Sequence, residues 1–130
     1  MDTKARILVV DDDLSCRVLA SLLLEVDGYQ PVAVTSVERA LEKLDGAHFD
    51  AVLTDLHMPL RSGLDLLLEL KTRRDPTPAV VMTASADREL HVTALALGAV
   101  AVVPKPFSPA ELDSAIGAAI ASHGLNPLAA

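Results

Sequence analysis

Residues 6–15 read RILVVDDDLS, and how this stretch is interpreted decides the fold. Ile7 to Val10 form a short continuous apolar run, as expected of a strand buried on both faces in a parallel sheet. Three carboxylates, Asp11, Asp12 and Asp13, follow at once. Side by side at a strand end they repel one another and lose hydration, so the placement calls for something positive nearby.

The same unit recurs along the chain. After the acidic triplet, Leu14, Val18, Leu22 and Val26 fall at four-residue spacing, with Leu19 and Leu23 beside them, and predict a helix that Gly28 stops. PVAVTS (31–36) predicts a second strand, and Ser36 caps a helix carrying Val37, Ala40, Leu41 and Leu44. DAVLTD (50–55) is a third strand ending in acid. Gly63 precedes the helix LDLLLELKTRR, whose basic end suits the helix dipole. AVVMTA (79–84) is the fourth strand, and DRELHVTALAL a helix closed by Gly98. AVAVV (99–103) is the fifth strand, followed by SPAELDSAIGAAIASHG with Ser108 as cap and Pro109 in the first turn. Residues 125–130 read as a frayed tail. Five strand–helix units in strict alternation predict an α/β fold, a single domain with a parallel sheet and helices on both faces.

Composition narrows the function. The 130 residues suffice for one core, and 51% of them are hydrophobic, which argues against disorder. Net charge is −7, no basic cluster exceeds the pair Arg73–Arg74, and Tyr29, Phe49 and Phe107 are the only aromatics. Direct nucleic-acid binding is therefore disfavoured. No apolar run nears the roughly 20 residues of a membrane span, and no signal core follows the N-terminus, so a cytoplasmic protein without membrane contact is expected. The lone Cys16 excludes an internal disulfide framework and reads as small core filler.

In a doubly wound sheet, ligands bind outside the carboxyl ends of the strands. Those ends carry Asp11–Asp13, Asp55, Thr83 and the nearby Lys105. Any one of them could be a helix cap or an ordinary loop residue, and Asp13, nearest the helix start, is the best candidate for a cap. Together they suggest a hard divalent cation held by carboxylates, Mg²⁺ above all, with Lys105 as a point charge for a phosphoryl oxygen and Thr83 as a hydroxyl donor.

Four segments carry a resemblance: ILVVDDD, AVLTDLHMPLRSGLDLL, VVMTASA and VVPKPF. In that order and spacing they resemble the receiver domain of bacterial two-component response regulators, the family of the single-domain chemotaxis regulator, over about residues 5–121. The resemblance implies a flavodoxin-like five-stranded sheet of order 2-1-3-4-5 with five helices, and residues 122–130 as a C-terminal tail or the start of a linker. It implies Asp55 as phosphoacceptor, Mg²⁺ ligated by Asp12, Asp55 and the backbone carbonyl of His57, and Asp11 acting mainly through a coordinated water. Thr83 and Lys105 would contact the phosphoryl group, Ala84 would leave the site open, and the Lys105–Pro106 bond would be cis.

A sensor histidine kinase or phosphotransfer protein is the implied donor. The downstream protein target is implied to dock on about residues 86–121, with homodimerisation left open. The module would be a switch rather than an enzyme in the ordinary sense, catalysing only its own phosphorylation and dephosphorylation. Val102 departs from the family's usual aromatic three residues before the lysine, so the switch is absent or differently built. His57 and Ser85 are uncommon choices beside the site; His48, His91 and His123 read as surface residues.

Two alternatives compete. A pseudo-receiver that binds partners without phosphorylation is opposed by the intact set Asp11, Asp12, Asp55, Thr83 and Lys105. The Asp-x-Asp of VVDDD also opens the haloacid-dehalogenase-type phosphatases, but a cap insertion does not fit in 130 residues.

Overall fold

The computed structural model describes residues 4–125, with side chains to residue 122; of the tail expected at 125–130, Leu125 ends the last helix and 126–130 lie outside the described residues, as does the side chain of His123. Strands β1 (Arg6–Val10), β2 (Gln30–Val34), β3 (Ala51–Asp55), β4 (Ala79–Thr83) and β5 (Ala101–Pro104) alternate with helices α1 (Leu14–Val26), α2 (Val37–Gly46), α3 (Gly63–Thr72), α4 (Arg88–Ala96) and α5 (Pro109–Leu125). All pairings are parallel and the order is β2-β1-β3-β4-β5. This is the flavodoxin-like, doubly wound fold expected from the sequence. The strand order reverses between β1 and β3, whose carboxyl ends are acidic.

Alternation along RILVV builds both layers at once. Leu8 and Val10 pack with Val52, Leu66, Leu67 and Leu70 on one face. Ile7 and Val9 pack with Leu24, Leu53, Leu112 and Ile116 on the other. Ile7, Leu8, Val9 and Val10 are fully buried, and each such aliphatic contributes about 1.5–3 kcal/mol relative to exposure.

The helix predicted from the spacing Leu14–Val18–Leu22–Val26 is present, but that line faces outward: Leu14 is 64% and Val26 83% exposed. Ala20 and Leu24 are the buried residues of α1, and Cys16 and Leu23 pack against the same core layer. Both lines repeat at helical spacing, so periodicity alone does not say which one docks. The small Cys16 and Ala20 let the helix lie close to the sheet. Four strands differ from the expected bounds by one or two residues: β2 is Gln30–Val34 rather than 31–36, β3 Ala51–Asp55 rather than 50–55, β4 Ala79–Thr83 rather than 79–84, and β5 Ala101–Pro104 rather than 99–103.

Caps hold the helices as their sequences suggest. Asp13 accepts the N–H of Cys16, and Ser36 that of Arg39. Ser62 and Asp65 form a reciprocal capping box on α3. Gly28 ends α1 with φ +91°, a left-handed residue that favours glycine. Gly63 has a different duty. A Cβ there would lie 2.5 Å from the carbonyl oxygen of Asp55 and 3.0 Å from the Cα of Leu56. Its N–H donates to the Leu56 carbonyl at 3.0 Å, so α3 starts hard against the end of β3.

Gly63→Ala is therefore expected to destabilise the domain by about 2–4 kcal/mol, because backbone rather than a movable side chain must give way. Urea unfolding followed by circular dichroism reads this as a lower midpoint at unchanged slope.

Candidate functional site: an acidic pocket closed by a lysine

The residues singled out at the strand ends meet on one edge of the sheet, each held by backbone pairing that prolongs a strand. Asp11 N–H donates to the Val34 carbonyl, Leu56 N–H, just after Asp55, to the Met82 carbonyl, and Lys105 N–H to the Thr83 carbonyl. The cis Lys105–Pro106 bond follows directly.

At the centre, the Lys105 ammonium lies 2.8 Å from Asp11 Oδ2 and 3.1 Å from Asp55 Oδ1. Asp11 is fully buried and Asp55 nearly so. The other oxygen of Asp11 accepts the N–H of Asp13 at 2.9 Å. Asp12 is exposed at the mouth, and one carboxylate oxygen from each of Asp11, Asp12 and Asp55 lies within 4.8 Å of the others. This is a donor set of hard oxygens that fits a divalent cation of the Mg²⁺ type. Thr83 is buried beside Asp55's strand, Ala84 is exposed, and His57 is exposed with its N–H bonded to the Asp55 carboxylate.

The two buried carboxyls titrate in opposite directions. Burial alone would raise Asp11, but hydrogen bonds from the Cys16 thiol, Lys105 and the Asp13 N–H outweigh it and hold Asp11 below the usual carboxylate range. Asp55 is raised, first by burial and then by the Asp11 charge, which Lys105 and the His57 N–H only partly offset. Lys105 loses hydration by burial, yet its two carboxylate partners keep its value raised, so it is cationic at all ordinary pH.

Cys16 is a participant that sequence reasoning took for filler alone. Burial, then the neighbouring Asp11, pushes its thiol up to about 11. It therefore stays protonated and serves as a donor to Asp11. Its place three residues after the cap Asp13 was the only available signal. His91, read as a surface residue, is half-buried, and its Nε2 lies 2.9 Å from the Ser85 carbonyl.

Comparison with known proteins gives the family. The family model of the response regulator receiver domain matches residues 7–117. The chain belongs to that family. This receiver domain is 36% identical over 120 residues to the transcriptional regulatory protein FixJ of Bradyrhizobium diazoefficiens, covering 92% of this chain and 58% of FixJ. It is 38% identical over 113 residues to the probable transcriptional regulator ycf27 of Cyanophora paradoxa, covering 87% of this chain and 47% of that protein. The chain thus spans about half the length of the curated relatives it matches. Among solved structures, it resembles the response regulator receiver domain protein of Clostridium thermocellum at 31% identity and a TM-score of 0.86, over 93% of this chain and 98% of that one. FixJ-N is similar at 28% identity and a TM-score of 0.86, over 92% and 96%. The family is one of signalling switches in two-component systems. No helix among the described residues is long and apolar enough to cross a membrane.

Asp55 and Asp11 give opposite pH signatures. A raised carboxyl favours folding while protonated; that contribution is complete below the ordinary carboxylate value and is lost as pH rises through the raised one. The lowered Asp11 adds stability above the ordinary value, lost as pH falls through its folded value. In chelator-treated buffer, Asp55→Asn is expected to be more stable than the parent at pH 7, by about 1 kcal/mol or roughly 4 °C in Tm. The gap should close as pH falls through the raised Asp55 value, and be gone below the ordinary carboxylate value of about 4. Thermal melts across that range decide it, and equal stability at pH 7 would mean that the Lys105 pair outweighs burial.

Proposed function

We propose that this receiver domain accepts a phosphoryl group on Asp55 from a sensor histidine kinase or phosphotransfer protein and signals through changed protein–protein contacts. The observation that carries this reading is the Lys105 ammonium shared by buried Asp11 and Asp55, with exposed Asp12 completing the acidic cluster at the mouth. A lysine between two carboxylates neutralises a resting site and stands where a phosphoryl oxygen on Asp55 needs a cation.

Asp12, Asp55 and the His57 backbone carbonyl would hold Mg²⁺, with Asp11 acting mainly through a coordinated water. Bound there, the ion would neutralise charge on the phosphoryl oxygens during transfer. The carboxylate of Asp55 attacks phosphorus, an O–P bond forms, and the donor's N–P bond breaks with its electron pair returning to the imidazole, which takes up a proton. Lys105 keeps its charge throughout and exchanges Asp55 for the phosphoryl group as partner. The Thr83 hydroxyl donates to a phosphoryl oxygen once it is in place. Water attacking the same phosphorus breaks the Asp55 O–P bond, returns the carboxylate and releases inorganic phosphate, so the domain catalyses both its own phosphorylation and dephosphorylation. The receiver unit is assigned to residues 5–121 and residues 122–130 to a tail or linker. The assigned setting is cytoplasmic, with a downstream protein on about residues 86–121. That stretch bears the exposed Val92 and Leu95.

Intact mass after incubation with acetyl phosphate is expected to show one phosphoryl adduct that requires Mg²⁺ and vanishes in Asp55→Asn. Lys105→Met should form it roughly 100-fold more slowly, the usual cost of removing one group that stabilises transition-state charge. Absence of the adduct, together with no binding of beryllofluoride and Mg²⁺, would turn the assignment to a module that binds partners without phosphate.

A further inference from the structure

Between the site and α4 runs a chain of hydrogen bonds through two residues that the proposed chemistry does not use. Thr83 Oγ1 accepts the N–H of Ser85 at 3.0 Å. The carbonyl of that same Ser85 lies 2.9 Å from Nε2 of His91, one turn into α4. A carbonyl can only accept, so the ring carries its proton on Nε2. Ser85 Oγ accepts the N–H of Asp87, and Asp87 caps α4 by accepting the N–H of Glu89. Ser85 is thus tied on one side to the Thr83 hydroxyl and on the other to both the cap and the body of α4.

The helix at the far end is weakly held. Ala94 is its one buried residue among those described, and Leu90 and Leu97 pack only partly against the core. Val92 and Leu95 stand 62% and 50% exposed. Val102, which packs on the same core layer, has no hydrogen-bonding group with which to connect site and helix. A helix anchored by few apolar contacts shifts at low cost, and its hydrogen-bonded tether then decides where it sits.

We propose that His91 is a positioning residue that couples Thr83 to α4 through the Ser85 carbonyl, so that occupation of Asp55 re-aims the exposed Val92–Leu95 face. The inference rests on the phosphoacceptor reading. When the Thr83 hydroxyl turns to a phosphoryl oxygen, the Ser85 N–H bonded to Oγ1 follows it. The Ser85 carbonyl moves with its own residue, and His91 carries the displacement into α4.

The test uses amide NMR of the full chain, with beryllofluoride plus Mg²⁺ as the phosphoryl mimic, on the parent, His91→Leu and His91→Gln. Leucine fills the half-buried place without a donor; glutamine puts an N–H near the position of Nε2. In the parent, shifts are expected around Asp55 and Thr83 and along residues 88–96. In His91→Leu the site shifts persist while those of α4 fall by roughly threefold or more, and His91→Gln restores them. Undiminished α4 shifts in His91→Leu would overturn the coupling, as would failure of His91→Gln to restore them, because ring packing would then be the cause. Loss of the response around Asp55 and Thr83 in the parent itself would instead overturn the phosphoacceptor reading, and the coupling with it.

Discussion

Everything at the site depends on one ammonium held between two buried carboxylates. Without Lys105, Asp11 and Asp55 would be like charges out of water within reach of each other, and one of them would have to take up a proton. With it, Asp11 stays ionised and Asp55 remains a carboxyl under tension, raised by burial and by its neighbour. A resting pocket of that kind favours any incoming group that brings a second cation or offers Lys105 a better partner. This is the electrostatic condition that the proposed phosphoacceptor role calls for.

The fold's contribution is to hold that geometry cheaply. Asp11, Leu56 and Lys105 each continue the ladder of their strand by one backbone hydrogen bond, so their side chains take the register of the sheet. Gly63 brings α3 against the end of β3, where no Cβ would fit. Two apolar layers, one on each face of β1, keep the strands from shifting and leave the polar groups only at the sheet's edge. The helices that share the layer of Leu8 and Val10 are not equally secured: α3 buries four residues and α4 one among those described. The poorly secured helix is also the one tied to the site through Ser85 and His91.

Much of this was legible in the residues. Apolar runs of four or five residues marked every strand, the caps Asp13 and Ser36 were visible as residue types, and the acidic and basic groups at the strand ends named the site. What spacing could not convey was orientation. The α1 line from Leu14 to Val26 has good helical periodicity and faces outward, while the small residues Cys16 and Ala20 lie against the sheet. Nor could spacing show that a thiol would serve Asp11, or that His91 would reach back to the Ser85 carbonyl.

By itself the sequence determined the order of strands and helices and the chemistry available at each strand end, because periodicity, capping and turn preferences are local. Only the tertiary structure decided which groups touch. Lys105 reaches Asp11 across 94 residues of chain, at 2.8 Å. That contact exists because five parallel strands stack in one register and bring their carboxyl ends to a single edge. Distances of this kind, and the charge states that follow from them, come from packing the whole sheet and from no segment alone.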